Sequence, residues 1–110
     1  MSYRLTSEFW ISAYKHYLDS IGITLFITNK GDDKAGAILI RVSNLKGSSV
    51  LFSQGIDIDG KKIWEQLARG CDSEMDKIIL RQIQYDPDIW VLEIEEKSGN
   101  HFLEDFSISY

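Results

Sequence analysis

The chain has one cysteine, Cys71, and one proline, Pro87, in 110 residues. A lone thiol excludes an internal disulfide and any zinc site built on paired cysteines, and it fits a reducing compartment. One proline beside eight glycines leaves no disordered or low-complexity tract, and no segment repeats at a fixed period. Apolar runs are short. No window approaches the roughly 20 residues of a membrane span, and the start, MSYRLTSEFW, lacks the apolar stretch of a signal peptide. The expectation is a soluble, cytoplasmic protein without a membrane partner.

Clustered basic charge is missing too. Twelve Lys and Arg face 17 Asp and Glu, for a net charge of −5, and the excess lies late: residues 72–110 hold 3 basic and 10 acidic side chains. Nucleic acid binding needs grouped cations that displace counterions from phosphates, so DNA or RNA is not the expected partner. Also absent are a Gly-x-Ser-x-Gly elbow and the glycine-rich patterns that cradle phosphates. The two histidines are separated by most of the chain and make no metal signature, so no cofactor is expected.

What is present suits one core in a single domain, 1–110: 44% hydrophobic residues, 12% aromatic. Over 7–20, Phe9, Trp10, Ala13, Tyr14, Tyr17 and Leu18 recur at helical spacing, with Thr6 or Ser7 to cap the start and Gly22 to stop the helix. Period two then takes over in ITLFIT (23–28), AILIRV (37–42) and VLFSQ (50–54), three strands read as an antiparallel meander. Residues 61–69 fit a helix turn or a fourth strand, with a lean to strand. Ser73 and Asp76 resemble a capping box for a second helix over about 74–85, ending before Pro87. Residues 89–95 form the last strand, with Trp90, Leu92 and Ile94 on one face and Ile89, Val91, Glu93 and Glu95 on the other. The fold class is α+β, order α-β-β-β-(β)-α-β. Two helices pack on a mostly antiparallel sheet of four to five strands, both on one face.

The stretch most open to a chemical reading is YDPDIWVLEIEEKSGNHFL, 85–103. Asp86 and Asp88 flank the proline as in a rigid helix-to-strand turn. Glu93 and Glu95 point the same way, roughly 6.5 to 7 Å apart, a spacing open to acid and base work or metal binding but equally to a half-exposed strand. His101 would gain proton affinity if it lay near these carboxylates. Cys71, just ahead of a helix, has no evident activating neighbour. The aromatic residues, Trp10, Trp64 and Trp90 with Tyr3, Tyr14, Tyr17, Tyr85 and Tyr110, are expected to go mostly into the core, with some surface left over that makes Trp10, Tyr14, Tyr17 and Trp90 the partner-binding candidates.

Three stretches together, RLTSEFWISAY (4–14), GAILIRV (36–42) and YDPDIWVLEIEEKSGNHFL (85–103), resemble the bacterial family catalogued as domain of unknown function 1491; residues 53–72 depart from its pattern. The resemblance implies a small soluble bacterial protein and carries over no activity, cofactor or catalytic residue.

Two functions compete, with a third behind them. A non-enzymatic interaction module, paired with itself as a homodimer or with another protein, would use the aromatic surface and the acidic rim, and predicts a fold without a pocket. A small metal-dependent or acid/base hydrolase would use Asp86, Asp88, Glu93, Glu95 and His101, and requires at least three of them to converge. A nucleic-acid or anionic-ligand contact would use Arg41, Lys46, Lys61 and Lys62 on the strand-rich half.

Overall fold

The computed structural model describes residues 5–104 and 106, so Tyr3 and Tyr110 lie outside the described residues. In chain order the elements are α1 (Ser7–Ser20), β1 (Leu25–Asn29), β2 (Ile38–Ser43), β3 (Ser48–Ile56), β4 (Lys62–Cys71), α2 (Asp72–Tyr85) and β5 (Trp90–Glu95). The expected α+β class holds. The ambiguous segment is a strand because the turn before it is fixed locally: the Asp57 carboxylate accepts the Asp59 and Lys61 amides, both at 2.9 Å, and Gly60 takes φ +79°. That turn brings β4 back along β3 as an antiparallel hairpin.

The sheet runs β1-β5-β2-β3-β4. Only β2, β3 and β4 form the meander. The expected pairing of the first two strands is not made, because β5 sits between them, antiparallel to β1 and parallel to β2. A parallel neighbour requires a crossover, and α2 supplies it between β4 and β5.

Nor do the helices share a face. Trp10, Tyr14 and Leu18 of α1 pack on Ile38, Ile40, Val42, Trp90, Leu92 and Ile94, whereas Met75 of α2, with Ile78, Ile79 and Ile83, packs on Leu39, Leu51, Ile89 and Val91. Successive strand residues point to opposite faces, so buried runs such as Ile38-Leu39-Ile40 and Trp90-Val91-Leu92 need cover on both sides. One helix could not provide it.

The helix caps also differ in origin. Thr6 Oγ1 accepts the Phe9 amide at 3.2 Å as expected, but Ser7 is turned inward, its hydroxyl donating to the Gly36 carbonyl at 2.7 Å. The amides of Ser7 and Glu8 donate to the carbonyls of Lys34 and Asp33, so the loop between β1 and β2 completes the cap. Gly22 ends α1 with φ +82°. The Ser73–Asp76 capping box does not form: Cys71 is the N-cap of α2 without a side-chain capping bond, its Sγ contacting the Ser73 hydroxyl at 3.3 Å, and Asp76 is drawn to Arg41 instead.

The loop at 30–37 crosses the start of β5 at backbone distance. A Cβ on Gly31 or Gly36 would lie 2.2 or 2.4 Å from the Asp88 carbonyl oxygen, closer than any side chain is tolerated. The Asp32 amide donates to that carbonyl, and Trp90 Nε1 donates to the Asp32 carbonyl at 2.7 Å.

Candidate functional site

The Asp-Pro-Asp segment is a turn in its chemistry as well as its shape. Asp86 Oδ1 accepts the Asp88 amide at 3.1 Å, and the Asp86 carbonyl accepts the Ile89 amide. What the fold uses of Asp88 is its carbonyl, held by the 30–37 loop, while its side chain is exposed.

Glu93 and Glu95 share the α2 face of β5 but not a task. Glu93 Oε1 lies 3.6 Å from Arg41 Nε, and Glu95 is exposed at the strand end. Arg41, on central strand β2 with its side chain 11% exposed, is the hub of a network that the sequence did not reveal. Its Nε donates to Ser49 Oγ at 3.0 Å, one terminal nitrogen to Asp72 Oδ1 at 3.1 Å and the other to Asp76. Ser49 in turn donates to Asp72. Burial opposes the charge on Arg41, yet the bonds from Asp76 and Asp72 outweigh it and hold the guanidinium pKa above its ordinary value. The Ser49 hydroxyl, with help from Arg41 and against burial, holds Asp72 below the usual carboxylate range. This network ties the start of α2 to the middle of the sheet. Its hydrogen-bond partners lie 8 to 35 residues from Arg41, so no local pattern announces it.

Glu96, next along the chain, organises the turn that follows β5. Its carboxylate accepts the Ser98 hydroxyl and the amides of Ser98 (2.9 Å) and Asn100 (2.7 Å), which lowers its pKa.

His101 is on the other side of the sheet. Its carbonyl accepts the Tyr14 hydroxyl at 2.7 Å, its ring meets Phe52 edge-on at 4.5 Å, and Nδ1 accepts the Leu103 amide at 3.0 Å. Burial pushes its pKa down, partly countered by Glu104, so the expected rise does not occur. Glu93 and His101 therefore face opposite layers, and Asp88 and Glu95 stand at opposite ends of β5, roughly 20 Å apart at strand rise. Among the described residues no three His, Cys, Asp or Glu side chains are grouped to hold a metal. The convergence that the hydrolase reading requires is not made by these five side chains.

The aromatic candidates are core. Trp10, Tyr14 and Trp90 are 1%, 0% and 3% exposed and offer no surface to a partner; Tyr17 is half-buried against the same cluster. Trp10 stacks on Trp64 at 5.3 Å, and burial drives the Tyr14 phenol pKa upward. Of the proposed anion contacts, Arg41 is engaged by three carboxylates, and Lys61 and Lys62 stand at the far end of the β3–β4 hairpin from Lys46.

Exposed apolar side chains lie elsewhere: Phe9 on α1, Leu80 and Tyr85 on α2, Leu45 in the turn between β2 and β3, and others at the sheet's margins. On β1, Phe26 and Ile27 are 45% and 49% exposed, and at the β3–β4 turn Ile58 is 99% exposed. The sequence does carry a sign of the first: from Ser20 to Asn29 there is no charged residue, and apolar side chains occupy both faces of the strand.

Residues 5–104 match the model of a family described as protein of unknown function, DUF1491. The crystal structure of a DUF1491 family protein from Caulobacter crescentus CB15 is 35% identical with a TM-score of 0.80, covering 90% of this chain and 94% of that one. An NMR structure of a DUF1491 family protein from the same organism is 34% identical, TM-score 0.76, covering 92% and 94%. A solution structure from A. tumefaciens is 26% identical, TM-score 0.71, covering 86% and 87%. None of the curated proteins matches. The chain belongs to the DUF1491 family. No helix among the described residues is long and apolar enough to cross a membrane.

Proposed function

We propose that this member of the DUF1491 family is a non-enzymatic interaction module that pairs with a second copy of itself along the outer edge of β1. One observation carries the reading: β1 is an edge strand without a charged residue, with Phe26 and Ile27 about half exposed on opposite faces. An edge strand offers a row of unpaired amides and carbonyls, and antiparallel pairing about a two-fold axis satisfies both copies at once. In a chain of net charge −5, a strand free of charge is also where two copies approach with least repulsion. Covering the exposed parts of Phe26 and Ile27 contributes on the order of 1 kcal/mol each at ~25 cal/mol per Å², so the dimer is weak and concentration-dependent. The exposed single thiol, Cys71, suits a reducing bacterial cytoplasm.

Light scattering across a dilution series tests this, run on the native chain and on Ile27→Lys. The native mass should climb towards two chains while the variant holds at one. A native mass of one chain throughout, or a variant that associates equally well, would remove the proposal.

A further inference from the structure

At one end of the sheet, on α1's side, the turn joining β2 to β3 and the turn after β5 enclose a cavity of about 180 Å³. Val42 and Val50 form its apolar base, Arg69 reaches it from β4, and Lys97 from the turn after β5. Among the described residues no carboxylate lines it, although acidic residues outnumber basic ones in the chain, 17 to 12. Neither cation has an ion pair among the described residues. Of the acids adjoining the lining residues, Glu96 is held by Ser98 and the Asn100 amide and Asp72 by Ser49 and Arg41, while Glu74 reaches Gly70 beside Met75, from the α2 side of the sheet. Among the described residues, then, no carboxylate pairs with the positive charge at this cavity.

We propose that the cavity binds a compact oxyanion of the phosphate class, with Arg69 and Lys97 as its principal contacts. An Arg side chain presents a planar fork of donors that matches two oxygens of such an anion, and Lys adds a movable point charge. Asn44, Ser48 and Ser98 place polar groups around the same space. The volume falls below the ~300 Å³ at which drug-sized ligand sites begin, which selects a phosphate group over a whole nucleotide. That group comes either as the free ion or as the end of a small phosphomonoester. The site is independent of the β1 dimer, since Arg69 belongs to the opposite edge of the sheet.

The test is titration of inorganic phosphate, and separately of glycerol 3-phosphate, into the 15N-labelled full chain at low salt, following amide shifts. Saturable shifts should centre on Ser48, Gly70, Ser98 and Gly99. Arg69→Gln and Lys97→Gln should each weaken binding about tenfold and the double variant abolish it, with the rest of the spectrum unchanged because both side chains are exposed. Tighter binding of glycerol 3-phosphate identifies a monoester; tighter phosphate identifies the free ion. Absence of saturable shifts with both ligands, or equal binding by the folded double variant, would overturn the proposal. Should Arg69→Gln fail to fold, Lys97→Gln alone decides, as it sits in an exposed turn.

Discussion

The two margins of the sheet are built on different plans. β4 is ten residues long, carries Lys62, Glu65 and Arg69, and is bulged opposite Leu51 and Phe52. β1 has five residues and no charge, with an irregularity only near its end, between Ile27 and Asn29. Charges and bulges keep an edge strand from pairing with another chain, and β4 has both; β1 has its brevity and the one irregularity at Thr28, but no charge. Length therefore does not mark the edge proposed to pair. The longer strand is the guarded one.

The two margins are also anchored differently, and the sharpest test acts on the anchor of β1. Gly36→Ala would push a Cβ into the Asp88 carbonyl and Asp32 backbone, at an expected cost of about 3 kcal/mol. Hydrogen exchange should show β1 amides opening more readily while β3 and β4 amides hold; equal loss at both margins would show that the 30–37 loop is not specific to β1. The counterpart on the other side is Arg41→Ala, which frees the start of α2 as it leaves β4 and strands the charges of Asp72, Asp76 and Glu93. A loss of about 2 kcal/mol by denaturant unfolding is expected, below the full buried-pair penalty because the acids are partly wet. A loss under about 0.5 kcal/mol would place the network outside the fold's stability.

Ile27→Lys should raise the dimer dissociation constant about tenfold or more, at roughly 1.4 kcal/mol per decade. Leu67→Lys, an equivalent exposed apolar site on β4, should leave the mass unchanged. The reverse outcome would exchange the roles of the two edges.

The smallest effect is on pH. Burial lowers the His101 pKa in the folded chain, so between its ordinary value of 6.5 and the folded value the unfolded chain binds more protons. Stability present above about pH 6.5 falls as pH drops through that window. His101→Gln should flatten this slope in thermal melts between pH 7 and 5; an unchanged slope would assign the proton uptake to other groups. Asp72 and Glu96, lowered by their hydrogen bonds, give up their contribution only further down, below the ordinary carboxylate values.

Local features of the fold were legible in the sequence, and long-range ones were not. The Trp10–Tyr14–Leu18 spacing defines α1, and the alternation of Trp90, Leu92 and Ile94 assigns the faces of β5, because both periodicities are set by backbone geometry. Ile38-Leu39-Ile40 already implied cover on both faces, yet the stronger prior of an antiparallel meander pulled the reading towards one. Strand order depends on the distant pairing of β2 with β5, which no neighbouring residue encodes. The site reading failed for a related reason: Glu93 and His101 are close in sequence, but the turn organised by Glu96 carries the chain from one layer to the other. The engagement of Arg41 is hidden in the same way, since Asp72 and Asp76 arrive from α2 and Glu93 from β5.

Placing the final strand in the middle has a consequence for how the protein is made. As the chain emerges from the ribosome, α1 with β1 and the β2–β3–β4 hairpins exist as two pieces whose joining seam is still being translated. Until β5 is out, β1 has no neighbour and the apolar flank of β2 stands open, so the sheet closes only once synthesis has passed Glu95. The uncharged edge assigned here to the mature dimer is thus also the segment that waits longest for its first partner, and a crowded polysome is where an early, mistaken pairing would cost the cell most.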